Sequence, residues 1–211
     1  MSEERARKIK LLLMDVDGVM TDGSLWFFPA PAGARQETKR AAGKFADAGG
    51  YAISSTSMME AKGFNAHDGT AISLARLGGL KTGLITKRIS DTVALRARDL
   101  RLDHIHQGIA DKLTVFQEIL RKEKLSAEQA AYIGDDIIDL PVMRHCGLAI
   151  AVPNARVEVL QAAHFVTEHP GGHGAVRDAV EFILKAQGKL QQVMDSYLEG
   201  RSPGKTGRVK K

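Results

Sequence analysis

Apolar positions in this chain gather into short runs separated by stripes of helical spacing. The runs near 9–15, 80–86, 103–106, 130–134, 147–151 and 164–167 read as strands. The first and the fourth of them are solidly apolar, as in strands of a parallel sheet covered on both faces. Helical spacing falls near 70–78, 90–100, 111–123, 137–145, 155–162 and 174–198. In the last of these, Val176, Val180, Ile183 and Leu184 are followed by Leu190, Val193, Met194 and Tyr197, a packing or subunit-contact stripe. Ser126, with Gln129 three residues on, marks a short helical turn before the fourth strand. Alternation of this kind predicts an α/β fold, a Rossmann-like doubly wound parallel sheet.

One interval breaks the alternation. Leu25–Phe28 and Ser57–Phe64 look like two strands of a small projecting hairpin, which leaves no room for a large cap domain. An isolated hairpin is marginal in water, so it is expected to pack against something. Residues 29–56 exceed what that hairpin needs, and their Ala, Gly, Pro and charge content admits a short helix at 36–47. This insertion is either a specificity or partner element, or a plain surface excursion. The expected organisation is one domain over 1–199, with hairpin and insertion at about 24–66, and a basic disordered tail over 200–211.

Carboxylates lie where strands end. Leu11–Met14 empties into Asp15 and Asp17, followed by Gly18, and alternation along a strand sets both Asp toward one side. A lone Asp-x-Asp would be an Asx turn closed by Gly18. The run Ala130–Gly134, however, ends in Asp135 and Asp136, with Asp139 following. One of this second group can cap the helix near Ile137. Acids clustered at two strand ends repel unless a cation joins them, and an all-oxygen donor set favours a hard ion such as Mg²⁺. The strand 80–86 ends in the hydroxyl of Thr86, followed by Lys87 and Arg88, and the loop from Gln107 carries Lys112 into a helix. A hydroxyl, backbone N–H groups and an ammonium can surround phosphoryl oxygens without changing protonation state.

This order of motifs resembles the haloacid dehalogenase (HAD) superfamily of phosphatases, and within it the group acting on 3-deoxy-D-manno-octulosonate 8-phosphate (KDO 8-phosphate). The resemblance is carried by Asp15–Gly23, Phe64–Gly69, Gln107–Lys112, Gly134–Met143 and Gly171–Asp178. It implies that Asp15 attacks phosphorus to form an aspartyl-phosphate. Asp17 would then protonate the leaving sugar oxygen and later deprotonate the hydrolytic water. It also implies Mg²⁺ held by Asp15, the backbone carbonyl of Asp17, and Asp135. Thr86 and Lys112 would hold the phosphoryl group, with Asp136 and Asp139 orienting water or Lys112. Two positions depart from the family pattern: Lys87 replaces a Gly, and His67 replaces an Arg expected to reach a neighbouring subunit's substrate. Imidazole is not a bidentate carboxylate clamp, so Arg88 is the remaining candidate for part of that role. The resemblance further implies a homo-oligomer, a tetramer built on the hairpin, and a small phosphorylated sugar acid as substrate.

Composition narrows the picture. The pI near 9.3 suggests a nucleic-acid partner until the charge is located. The five cations of 201–211 equal the whole net excess of +5, so residues 1–200 balance to zero. With no aromatic-lined or helical reading surface beside that tail, no nucleic-acid partner is expected. No apolar run approaches the ~20 residues needed to span a bilayer, and Met1–Lys8 is charged rather than signal-like. A single cysteine, Cys146, excludes an intrachain disulfide, and together these features point to a cytoplasmic protein. Four other readings stay open at this level: a phosphatase-like subunit of a larger complex resembling the phenylphosphate carboxylase delta subunit, a phosphatase for another small phosphorylated metabolite, a non-catalytic binding module, and a phosphotransferase or mutase.

Overall fold

The computed structural model describes residues 2–29 and 58–200. The expected helix at 36–47, nearly all of the 29–56 insertion and the basic residues of the tail lie outside them. In chain order the elements are α1 (Ser2–Lys8), β1 (Leu11–Met14), β2 (Trp26–Pro29), β3 (Met58–Ala61), α2 (Ala66–Leu77), β4 (Lys81–Ile85), α3 (Asp91–Asp99) and β5 (His104–His106). They continue with α4 (Lys112–Glu123), β6 (Ala130–Gly134), α5 (Leu140–Met143), β7 (Leu148–Ala151), α6 (Val157–Ala162), β8 (Phe165–Val166), α7 (Ala175–Ala186) and α8 (Leu190–Leu198). Short 3₁₀ turns precede β6, at Ala127–Gln129, and α5, at Ile137–Asp139. Gln129 Oε1 accepts from the backbone N–H of Ser126, as the Ser-x-x-Gln spacing predicted.

Six strands form one parallel sheet in the order β5-β4-β1-β6-β7-β8. Successive residues of its central strands face opposite layers. Leu12, Met14, Ala131, Ile133, Leu148 and Ile150 pack with apolar side chains of α1, α2, α3 and α7. Leu11, Leu13, Ile85, Tyr132, Ala149 and Ala151 pack with those of α4, α5 and α6. All four residues of β1 are fully buried, which is why its sequence shows no polar alternation. The expected doubly wound α/β fold is therefore present. Its winding reverses between β1 and β6, and ligands of open α/β sheets bind beyond the strand ends at such a reversal.

The hairpin forms as expected, with β2 and β3 antiparallel and Trp26 opposite Ala61. It is tied to the sheet domain where Thr92 Oγ1 on α3 donates to the carbonyl of Glu60 at 3.3 Å. Two expectations are corrected and one element is added. The single helix over 174–198 is two, α7 and α8, parted at Gly188, whose φ of +69° a helix does not allow. The second helix starts earlier than the spacing near 70–78 predicts: Asn65 Oδ1 accepts from the His67 N–H at 2.7 Å and starts α2 at Ala66. The N-terminal residues, expected only to be charged, form α1, which packs Ala6 into the core.

Candidate active site

Two loops meet at the reversal point. Beyond β1 the chain turns at Gly18, whose φ is +87°, and a Cβ there would run into the Asp135 carboxylate beyond β6. Glycine at this position thus provides both the turn and the approach of the two acidic strand ends. The Gly171–Gly172 loop presses on the same turn, and a Cβ on Gly171 would strike the carbonyl of Gly18. Asn154 fastens the two loops, its Oδ1 accepting from the Gly171 N–H at 2.9 Å while its Nδ2 donates to the Gly18 carbonyl at 3.5 Å.

Asp15 is buried, with Oδ1 accepting from the Val16 N–H at 2.7 Å and Oδ2 2.8 Å from Lys112 Nζ. Lys112, in the first turn of α4, reaches Asp139 Oδ1 at 2.7 Å as well. The same Asp139 oxygen accepts from Tyr132 Oη at 2.8 Å, and Asp139 Oδ2 accepts from the N–H groups of Asp135 and Asp136 at 3.1 and 3.2 Å. With four donors on it, Asp139 is a brace for Lys112, as the resemblance implied. Asp136 caps the 3₁₀ turn after β6, its Oδ1 accepting from the Ile137 N–H at 2.7 Å. Thr86 is buried at the end of β4 and tied to the neighbouring loops, its N–H donating to His106 and its carbonyl accepting from Ile109.

Carboxylate oxygens of Asp15, Asp135 and Asp139 all lie within 4.8 Å of one another, the cluster found among the described residues. Asp135 Oδ1 is buried and makes no hydrogen bond. Burial, with the charges of Asp15 and Asp139 adding to it, pushes the Asp135 carboxyl up to about 8. Burial likewise raises Asp15 to about 6, against the opposing pull of Lys112. For Lys112 the order of effects inverts. Burial disfavours its ammonium, but Asp15 and Asp139 outweigh that and hold it above the usual lysine range. One lysine therefore does not neutralise the cluster. A hard divalent cation beside Asp15 and the orphaned oxygen of Asp135 would, and the all-oxygen donor set fits one.

The remaining expected residues sit apart from this cluster. The Asp17 carboxyl is not among the clustered groups and is held by two cations instead, Oδ1 by Lys62 and Oδ2 by Arg88 Nε at 3.1 Å. Arg88 thus contacts the expected proton carrier, and Lys87 is half-buried beside it. His67 stands exposed in the first turn of α2 and is not part of the carboxylate cluster. Sequence reasoning missed Lys62, Glu60, Asn154 and Tyr132. The Ser57–Phe64 strand did carry Glu60 and Lys62 as its only charged pair, but nothing local aimed them at Asp17.

Comparison with known proteins follows the same lines. Residues 85–179 match the haloacid dehalogenase-like hydrolase family. The chain is 38% identical over 188 residues to the KDO 8-phosphate phosphatase of Yersinia pestis, covering 89% of this chain and 86% of that one. It superposes with a TM-score of 0.76 on the Moraxella catarrhalis KDO 8-phosphate phosphatase solved with magnesium, phosphate and KDO. That pair shares 32% identity over 92% of this chain and 97% of the other. The cobalt-bound phosphatase of Haemophilus influenzae gives a TM-score of 0.71 at 31% identity, covering 90% and 98% of the two chains.

Two outcomes follow from the crowded carboxylates. Without a cation, folded Asp15 and Asp135 hold protons that an unfolded chain releases near 3.8. The native state is then the more protonated one, so its stability falls as pH rises from about 4 to about 8. The melting-temperature gap between Mg²⁺-loaded and chelated protein should widen from pH 5 to pH 8, and Asp135→Asn should close it. Gly18→Ala should also abolish the Mg²⁺-dependent shift, because the added methyl displaces Asp135; thermal melts with and without chelator read both.

Proposed function

This chain belongs to the haloacid dehalogenase-like phosphatases of the KDO 8-phosphate group, and on that premise we propose that it hydrolyses the phosphomonoester of KDO 8-phosphate with Mg²⁺. The observation that carries this reading is the pairing of Asp15 and Asp135 across the sheet's reversal point, with buried Lys112 spanning Asp15 and Asp139. Asp15, the Asp17 carbonyl and Asp135 would hold Mg²⁺, which supplies positive charge where phosphoryl and carboxylate oxygens crowd together.

Asp15 attacks phosphorus through a carboxylate oxygen, the bond from phosphorus to the sugar oxygen breaks, and Asp17 gives that oxygen its proton. Asp17, now a carboxylate, takes a proton from water as the water oxygen attacks the aspartyl-phosphate. Orthophosphate leaves and Asp15 is restored. Lys112 and Thr86 hold the phosphoryl oxygens in both steps, and their positions are fixed before substrate arrives, so little reorganisation is needed at the moment of reaction. Tyr132 and Asp139 keep the Lys112 ammonium aimed at this point.

The reading includes an assembly. Trp26 is 58% and Phe28 49% exposed on the hairpin, with Leu25, Phe27 and Met59 beside them. Apolar surface of this extent on a short two-stranded sheet favours contact with further copies of the chain. We place the reaction in the cytoplasm, in keeping with a single buried thiol and with no helix among the described residues long and apolar enough to cross a membrane.

Phosphate release from KDO 8-phosphate, measured with and without chelator, tests the reading. Asp15→Asn should reduce turnover to background, since an amide in place of the carboxylate cannot form the aspartyl-phosphate. Asp17→Asn should lose ~10²–10⁴-fold while still binding Mg²⁺. Activity that survives in Asp15→Asn, or that ignores chelation, would remove the mechanism. Trp26→Lys with Phe28→Lys should shift the protein to a smaller species in light scattering, and an unchanged mass would remove the assembly.

A further inference from the structure

Lys62 is the first residue beyond β3, and it carries its charge into an enclosed place. Its side chain is 0% exposed, its ammonium is paired with Asp17 Oδ1, and Glu60 Oε1 lies 3.1 Å away. Arg88 Nε holds the other Asp17 oxygen at 3.1 Å. Lys62 and Arg88 thus take one oxygen each of the Asp17 carboxyl, and Glu60 stands behind Lys62. Removing an ammonium from water is costly unless it is paired, and Lys62 is paired on two sides.

The two carboxylates are held differently. Glu60 Oε1 is buried without a hydrogen bond, so its tie to Lys62 is one of charge rather than of direction. Its backbone is fixed, however, because Thr92 on α3 donates to its carbonyl. Asp17 is more open, at 27% side-chain exposure, and sits in a loop rather than in a strand. Left alone, its carboxyl would be free about both side-chain torsions. Gripped at Oδ1 by Lys62 and at Oδ2 by Arg88, the plane of the carboxyl is fixed. Of the two grips, Lys62 is the rigid one. Arg88 is 24% exposed, whereas Lys62 is enclosed and held from behind by Glu60.

We propose that Lys62 is a positioning residue for the reaction, fixing the carboxyl of Asp17 so that its proton meets the leaving-group oxygen, with Glu60 anchoring Lys62 from the hairpin. This rests on the reading that Asp17 carries the proton. It gives the hairpin a part in the chemistry of its own subunit: the strand pair sets Glu60, Glu60 sets Lys62, and Lys62 sets Asp17. Proximity alone would not need this chain of contacts. Proton transfer at a defined angle does, since small misplacements of a reacting group are expensive in rate.

The experiment compares two leaving groups. A sugar alkoxide needs a proton to depart and a nitrophenolate does not, so kcat/KM for KDO 8-phosphate depends on Asp17 and kcat/KM for p-nitrophenyl phosphate far less. Lys62→Met should lower the first roughly 10–100-fold and the second by no more than about threefold. Combined with Asp17→Asn, Lys62→Met should add less than about twofold on KDO 8-phosphate, because the residue it positions is already gone. Lys62→Arg, which keeps the charge, should recover part of the loss. Equal losses on both substrates, or losses that multiply in the double variant, would overturn the proposal. If Lys62→Met does not fold, Glu60→Gln reads the same coupling: a loss confined to the sugar phosphate supports it and a uniform loss overturns it. Should the wild-type protein release phosphate from neither compound, the phosphatase reading itself falls. An active wild type with uniform losses removes only the assignment of Lys62.

Discussion

The structure turns on repulsion between carboxylates. Asp15, Asp135 and Asp139 gather within 4.8 Å in a largely buried place, where like charges cannot all be ionised without compensation. Everything nearby answers that constraint. Lys112 is driven into the core to meet two of the three, Tyr132 and two backbone N–H groups meet Asp139, and the remaining oxygen of Asp135 is left for a cation. In the proposed function, a bound cation and Lys112 together would supply the positive charge that lets a phosphoryl group approach these carboxylates.

The backbone makes that concentration of charge feasible. In a doubly wound parallel sheet the strand ends diverge at the reversal point, and loops from both sides can enter the gap. Here they enter closely enough that Gly18 and Gly171 have no space for a side chain, with Asn154 holding both loops in register. The core beneath is conventional by comparison. It is two apolar layers, one on each face of the sheet, that hold the strand ends in place beneath the cradle.

How much of this was legible in the sequence depended on whether the signal was local. The buried strands announced themselves as solid apolar runs, and the acidic clusters lay at their ends, so the fold and the Asp15, Asp135, Asp139 and Lys112 grouping could be read from pattern and motif order. The break at Gly188 was harder, because the helical stripe continues on both sides of a single residue at positive φ. The short α1 buries Ala6 as its one core residue, too little for a periodicity to show. The start of α2 was missed because its apolar spacing begins only near 70, whereas the Asn65 cap sets it at Ala66. Lys62 and Glu60 were out of reach altogether. Their meaning comes from the hairpin folding back over Asp17, a contact across 45 residues that no local pattern encodes.

The central claim is that Asp15 becomes covalently phosphorylated during turnover. Rapid acid quench of the Mg²⁺-loaded protein with KDO 8-phosphate, followed by peptide mass spectrometry, observes that species directly. A phosphoryl group on the peptide bearing Asp15, absent when the wild-type protein is quenched without substrate, is the result this account predicts. Steady turnover with no phosphorylated aspartate, or with the phosphoryl group on another residue, would contradict it.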